Sequence, residues 1–186
     1  MKQQIKNWKT DEIIYECEAE TLKEAVEKAV KENVSLAYAD LHGLDLCGSD
    51  LSSSDLGFSD LQNSDLRNSD LRYANLRNSD LRCSDLSFSD LRFSDLSCSD
   101  LRGCDLHGSD LRGLDLHYSD LRVANLIFAD LHYSDLRGSD LRDANLCFSN
   151  LSSADLRETD WRCSDLRFAN LTFAKLDGID LKKSII

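Results

Sequence analysis

The chain of 186 residues contains no proline. Proline has no backbone N–H, so its absence suits a fold that spends nearly every main-chain donor on a ladder. Long apolar runs are also missing. None approaches the roughly 18 residues of a membrane span, and the opening stretch MKQQIKNWKTDEIIYECEAE lacks the apolar core of a secretion signal. A cytoplasmic protein with no membrane partner is expected. Seven cysteines are present, Cys17, Cys47, Cys83, Cys98, Cys104, Cys147 and Cys163. They show no CxxC spacing and their number is odd, which favours free thiols in a reducing compartment. Basic residues are in deficit: 22 Lys and Arg stand against 34 Asp and Glu, for a net charge of −12. Phosphates would be repelled, so direct nucleic-acid binding is excluded, whereas a basic partner or a DNA-binding protein is compatible.

The marks of catalysis are missing too. Acids recur throughout as equivalents, with no nucleophile set beside a base, so a non-enzymatic protein without cofactor is expected. The glycine-rich nonapeptide of calcium-binding β-rolls does not occur, and Thr159 and Thr172 are the only threonines after residue 35, too few for the ladders of an ice-binding solenoid.

What is present is a period of five. In SDLRFSDLSCSDLRGCDLHGSDL, leucine stands at Leu91, Leu96, Leu101, Leu106 and Leu111. The spacing holds over thirty positions from Leu36 to Leu181, with Trp161 the one replacement. Neither a strand, which repeats every two residues, nor a helix, at 3.6, has this period. A short fixed period sustained this long marks a solenoid. Two residues before each leucine stands a small side chain, serine at 17 and alanine at 8 of the 31 positions from Val34 to Ser184. One before it stands Asp, or Asn at Asn75, Asn125, Asn145, Asn150 and Asn170, with Ser35 and Lys175 the exceptions. The leucine and the small residue share an interior, the charged neighbours face water, and Asp or Asn beside a recurrent bend supplies turn chemistry.

Residues 1–35 follow a different grammar. IKNWKTDEIIYECEA predicts a short hairpin turning near Lys9-Thr10-Asp11. TLKEAVEKAVKENV predicts an amphipathic helix over 21–34, with Thr21 and Glu24 at capping-box spacing. The pair forms a cap over the open end of a solenoid spanning 36–186.

Residues such as SADLRETDWRCSDLRFANLTFAKL resemble the A(D/N)LXX motif of the pentapeptide-repeat family, over about 150 residues without a register break. The resemblance implies an all-β solenoid, a right-handed quadrilateral β-helix with four pentads to each coil. Thirty repeats are then about 7.5 coils and a rod roughly 36 Å long at the inter-strand spacing.

Grouping by fours puts residues 20 apart in columns. One face pairs an arginine column (Arg82, Arg102, Arg122, Arg142, Arg162) with an aspartate column (Asp60 to Asp180), the pattern of a solvated, charge-paired surface. Another carries Phe128, Phe148 and Phe168 in successive coils, with Phe88 two coils earlier and Ile127 beside them. That aromatic ladder stabilises the solenoid, or serves as the patch on which a partner binds. Tyr73, Phe93 and Tyr133 form a shorter set. His42, His107, His117 and His132 fall on four different faces, so they do not converge on a metal. Trp161 is expected to widen its coil or turn partly outward, and a filled solenoid leaves no pocket.

Two functions remain. One is a protein-binding or structural scaffold, its partner another protein. The other comes from the resemblance, which implies DNA mimics that bind DNA gyrase and confer quinolone resistance. The repeats carry a net charge of −10, one charge per about 3.6 Å against about 1.7 Å in duplex DNA. Two faces are at −3 and two at −2, so no side is a strongly acidic strip. Gyrase-binding relatives pair through a C-terminal segment, whereas GIDLKKSII carries no helix after the last repeat. Ile179, Ile185 and Ile186 would lie exposed there, and an end-to-end homodimer is expected.

Overall fold

The computed structural model describes residues 1–179, 184 and 185. The chain opens with β1 (Lys2–Lys6) antiparallel to β2 (Ile13–Glu18), with a bulge between Ile5 and Lys6. The turn is held by Asn7, whose Oδ1 accepts the N–H groups of Lys9 at 2.8 Å and Thr10 at 3.2 Å, and by Asp11 at φ 59°. Helix α1 (Leu22–Lys31) follows. The Thr21 hydroxyl accepts the Glu24 N–H at 3.1 Å, and the Glu24 carboxylate reaches back to the Glu20 N–H at 2.7 Å. The helix stops three residues before the expected Val34. Asn33 enters the left-handed region at φ 56°, and the N–H groups of Asn33 and Val34 return to the carbonyls of Val30 and Ala29. This arrangement satisfies the last carbonyls and ends the helix.

The buried face of α1, Ala25, Val26 and Ala29, covers the start of the solenoid. The hairpin is stitched to the first coil as well. The Asp40 N–H donates to the Lys6 carbonyl at 2.8 Å, the Trp8 N–H to Tyr38 at 3.0 Å, and the Trp8 indole to the Phe58 carbonyl at 2.8 Å.

Through the middle coils each pentad repeats one hydrogen-bond scheme. Leu41 shows it: its N–H donates to the Asp60 carbonyl at 2.9 Å, Gly43 donates to Gln62 at 2.9 Å, and the Asp60 N–H donates to Ala39 at 2.9 Å. Residues 20 apart therefore pair in parallel, from Asp40 with Asp60 to Asp165 with Ile185, so a turn of the coil takes four pentads and the rod has four faces. A fourth N–H closes the corner, as from Leu44 to the Leu41 carbonyl at 3.2 Å. The fifth belongs to the residue after leucine, and its acceptor is the side chain of the preceding Asp or Asn. Cys47 donates to Asp45 Oδ1 at 3.0 Å, and Arg77 to Asn75 Oδ1 at 3.2 Å. All five donors of the pentad are thus engaged, which leaves no place for proline.

The second corner residue of each pentad lies in the left-handed region, whatever its identity: Gly48 at φ 70°, Asn68 at 55°, Phe88 at 58° and Val123 at 63°. With the first corner residue outside that region, this is the signature of a type II turn.

Inside, the leucines at every fifth position from Leu36 to Leu156 are 0–1% exposed. Most buried serine hydroxyls two residues before a leucine return to the leucine carbonyl three residues earlier, as in Ser59 to Leu56 and Ser64 to Leu61, both at 2.7 Å; Ser99 reaches the Leu76 carbonyl instead, and Ser49 and Ser54 have no partner. Trp161 turns wholly inward, at 2% exposure, and not outward. Its indole N–H donates to the Thr159 hydroxyl, a partner that makes burial of the ring tolerable. In the last coil the interior positions Ala169, Leu171, Ala174, Leu176 and Ile179 are only half-buried.

The Asp side chain is separable from its charge. In Asp95→Ala the buried N–H of Ser97 loses its 3.0 Å acceptor, and urea unfolding is expected to show a loss of about 1–3 kcal/mol. Asp95→Asn keeps the acceptor, as Asn150 does for Ser152, and should retain most of the stability.

Candidate functional site

The surface is written by two kinds of side chain, those flanking the leucines and those at the corners. On the flanks, Arg and Asp interlock. Arg102 donates through Nε to Asp100 Oδ1 at 2.8 Å and through Nη2 to Oδ2 at 2.5 Å, and its Nε lies 3.6 Å from Asp120 one coil on. Arg82, Arg122 and Arg142 repeat the pattern. Each guanidinium is bidentate to one carboxylate and near a second, so stacked aspartates are separated by positive charge. The hydrogen bonds from Arg67, Arg72 and Arg162 hold Asp65, Asp70 and Asp160 below the usual carboxylate range, outweighing their partial burial.

At the corners stand the exposed aromatics. Phe128 and Phe148 stack at 5.1 Å and Phe148 and Phe168 at 4.8 Å. Phe88 is not isolated from them. His107 meets it edge-on at 5.3 Å and meets Phe128 at 5.8 Å, so the ridge runs unbroken over five rings. The gap in the column is Gly108, over which the Phe88 ring lies; a Cβ there would come within 2.8 Å of the ring. Phe93 covers Gly113 and Tyr118 covers Gly138 in the same way. The signal was legible as glycine 20 residues after an aromatic, but it has meaning only once the corner is known to be left-handed.

The ridge occupies the corner between two faces that lose their charge toward the C-terminal half. From residue 124 to 173 these faces carry only Asp130, Asp165 and Arg167 as formal charges. Asn125, Asn145, Asn150 and Asn170 replace aspartate, and Asn170 donates to Asn150 at 3.1 Å where two carboxylates would repel. Ile127 is half-buried beside the ridge and Cys147 is buried, while Phe128, Phe148 and Phe168 are 57%, 50% and 77% exposed. Charge depletion around large exposed aromatics is the composition of an interface core.

Of the end residues, Ile179 is half-buried. Ile185 is exposed, but it takes the outward position that Asp holds elsewhere, paired with Asp165. Ile186 lies outside the described residues.

The four histidines remain on separate faces, but His117 converges with acids. Its Nδ1 is 2.5 Å from Asp115 Oδ1, and donor atoms of Asp115, His117 and Asp135 lie within 4.8 Å of one another. Asp135 is already committed to Arg137, at 2.9 and 2.6 Å. Sequence reasoning weighed the histidines against each other and missed this grouping. The interior is filled, yet surface clefts do form. One of about 320 Å³ opens beside Tyr118, Arg157 and Glu158, and others lie under α1. Cys104 is buried, which pushes its thiol up to about 12, and all seven cysteines are free. Among the described residues, no helix is long and apolar enough to cross a membrane.

The model of the pentapeptide repeats matches residues 29–122 and 124–186 in overlapping stretches. The chain belongs to the pentapeptide-repeat family. Its coil is accordingly the right-handed quadrilateral β-helix of that family. Solved pentapeptide-repeat structures are similar to it. One is HetL of the cyanobacterium Nostoc sp. strain PCC 7120, involved in heterocyst differentiation regulation. It is 26% identical, with 79% of this chain and 89% of that one covered, at a TM-score of 0.43. A second pentapeptide-repeat protein of Nostoc is 33% identical over 63% of this chain and 78% of its own, at 0.40. QnrB1, a plasmid-mediated fluoroquinolone resistance protein, is 20% identical over 75% and 78%, at 0.42. No curated protein sequence matches the chain.

The depressed carboxylates set the acid response of this pentapeptide-repeat rod. A carboxyl whose folded pKa lies below its unfolded value of about 4 stabilises the fold above that value and ceases to as pH falls through the folded pKa. The melting temperature is expected to stay flat down to about pH 5 and to fall below about pH 4, measurable by circular dichroism.

Proposed function

We propose that the protein is a non-enzymatic, protein-binding rod of the cytoplasm, whose contact surface is the Phe128–Phe148–Phe168 corner with the two charge-poor faces beside it. The observation that carries this reading is the coincidence of exposure with charge depletion. Along the middle of the rod the flanks are Asp–Arg ladders; here large apolar rings stand exposed with few charges to desolvate around them. A partner with a neutral, apolar surface would gain the burial of three adjacent rings. In the free rod those rings already stack, so little conformational freedom is lost on binding.

The alternative is a DNA mimic directed at gyrase, in keeping with the likeness to QnrB1. Against it stands the bidentate pairing of Arg with Asp along the middle of the rod, which neutralises many of the carboxylates that would have to imitate phosphate. The half-buried interior of the last coil supports a further proposal, that a second copy covers this end. Leu171, Ala174, Leu176 and Ile179 are only half-buried there, whereas the leucines of the middle coils are fully buried.

Phe128→Ser/Phe148→Ser separates binding from folding. Immobilised wild-type rod is expected to retain a partner that the variant does not, while the variant still melts cooperatively, with a loss of about 1–3 kcal/mol from the two ring stacks. A variant that does not fold would assign the ridge to stability alone. In parallel, gyrase supercoiling is expected to continue in a molar excess of the rod, and inhibition would establish the mimic. Light scattering over a range of concentrations is expected to give twice the monomer mass, and a monomer throughout would refute the covered end.

A further inference from the structure

The structure assigns a binding site for a single aromatic side chain of a partner protein, a tyrosine, to the cleft at the Gly113 corner. The cleft is about 210 Å³ and is lined by Arg92, Phe93, Arg112, Gly113, His132 and Tyr133. Pockets for drug-sized ligands begin at roughly 300 Å³, so the space suits one side chain and not a free cofactor. It lies one corner along from the Phe128 ridge, across the face that carries Asp130 and His132. The site rests on the protein-binding reading but not on that ridge.

A matched pair of corners shows what fits there. Glycine interrupts a column of rings at both Gly108 and Gly113. At each, the preceding ring tips over the glycine, so that a Cβ would come within 2.8 Å of Phe88 and 2.6 Å of Phe93. At each, a ring follows one coil later, Phe128 and Tyr133. The two corners differ on the flank. Beside Gly108 stands His107, whose ring is edge-on between Phe88 and Phe128 at 5.3 and 5.8 Å. Beside Gly113 stands Arg112, drawn to Asp110 through Nε at 2.8 Å and Nη2 at 2.6 Å, and a cleft opens between the rings. The chain thus bridges one gap with an aromatic ring of its own and provides none for the equivalent gap. Phe93 and Tyr133, 57% and 68% exposed, offer an entering ring the same edge-to-face contacts.

Polar groups around the cleft select tyrosine among the aromatic side chains. His132 Nδ1 lies 2.8 Å from the Ser152 carbonyl, which only accepts, so Nδ1 carries the proton and the neutral ring presents Nε2 as an acceptor. Among the described residues, none donates to that Nε2. Arg92 and Arg112 spend Nε and Nη2 on Asp90 and Asp110, and Nη1 of each bonds no described residue. A phenol matches both kinds of group, because its hydroxyl donates to an imidazole nitrogen and accepts from a guanidinium. The two arginines disfavour a cation, and their pairing with aspartate leaves little for an anion to gain. A neutral ring with a hydroxyl satisfies the site.

N-acetyl-tyrosinamide is titrated into the isotope-labelled full-length protein and followed by two-dimensional NMR. Saturable shifts are expected at the amides of Gly113, His132 and Tyr133, with a dissociation constant on the order of 1 mM. N-acetyl-phenylalaninamide should bind about two- to tenfold more weakly, the worth of one hydroxyl hydrogen bond, and N-acetyl-leucinamide should give no saturable shift. Gly113→Phe supplies the ring from within, as Phe148 does beside Phe128, and should abolish binding. Gly138→Phe, a ring added at another glycine corner, should not. Tyr133→Ser introduces a residue that the same column already carries at Ser153, and should weaken binding by about two- to tenfold whether or not Gly113→Phe folds. Phe128→Ser/Phe148→Ser should bind N-acetyl-tyrosinamide as the wild type does, so failure of the cleft is distinguishable from failure of the ridge. The assignment is overturned by absence of saturable shifts at the cleft, by equal shifts at every exposed ring, by equal affinity for the leucine or phenylalanine compound, or by full affinity in Tyr133→Ser.

Discussion

One hydrogen bond governs this rod, from the main-chain N–H after each leucine to the side-chain oxygen of the Asp or Asn before it. Ladder and corner bonds account for four donors in five; without the side chain, every pentad would hold one orphan N–H close to a packed interior. Only a short side chain ending in an acceptor fits, which is why Asp and Asn hold the position almost without exception. The surface is acidic as a consequence. Stacking carboxylates at strand spacing creates repulsion, and arginine two residues on relieves it from within the same coil and from the next. The net charge of the protein is therefore largely a by-product of closing corners, and overall acidity is a poor guide to what the rod binds. The departures from the by-product are more telling: the C-terminal faces where Asn replaces Asp and arginine is lost.

The corners carry a strain that the ladder absorbs. Residues with a Cβ in the left-handed region cost about 1–2 kcal/mol each, and Val123, branched at Cβ, is among the least suited. In the middle coils such a residue nonetheless donates its N–H to the next coil, Phe88 to His107 at 2.9 Å for example, so the conformation is held from both sides. The same geometry throws the side chain outward against its neighbour 20 residues on. Most aromatics at corners meet another ring or a glycine, as Phe128 and Phe93 do, and they stay exposed whether or not anything binds them.

The period, the interior leucine and serine or alanine, the turn role of Asp and the Phe128–Phe148–Phe168 alignment were all legible from residue spacing, because each depends on identity at a repeated place. The four-fold grouping was not, since a period of five fits any number of sides; it came with the family resemblance. Nor were the features that arise between columns. His107 bridges Phe88 to Phe128 from a neighbouring column, His117 meets Asp135 across a coil, and Ser49 and Ser54 lose the usual partner near the cap. Trp161 did not take the outward course, because its indole N–H found Thr159, a partner two residues away that volume arguments overlook. The helix ended early at Asn33, whose left-handed tendency is visible in the sequence but competes with the apolar pattern that runs on to Val34.

The strict four-pentad turn gives this surface a phase. Gain or loss of one pentad anywhere before Phe128 would leave the interior and every corner chemically intact, yet turn all that follows by a quarter of a revolution relative to the cap. A change of twenty residues would restore the alignment and alter only the height. The azimuth between the cap and the phenylalanine corner is thus stored as a repeat count modulo four, a quantity invisible to the stability of the rod and open to adjustment without cost to its core.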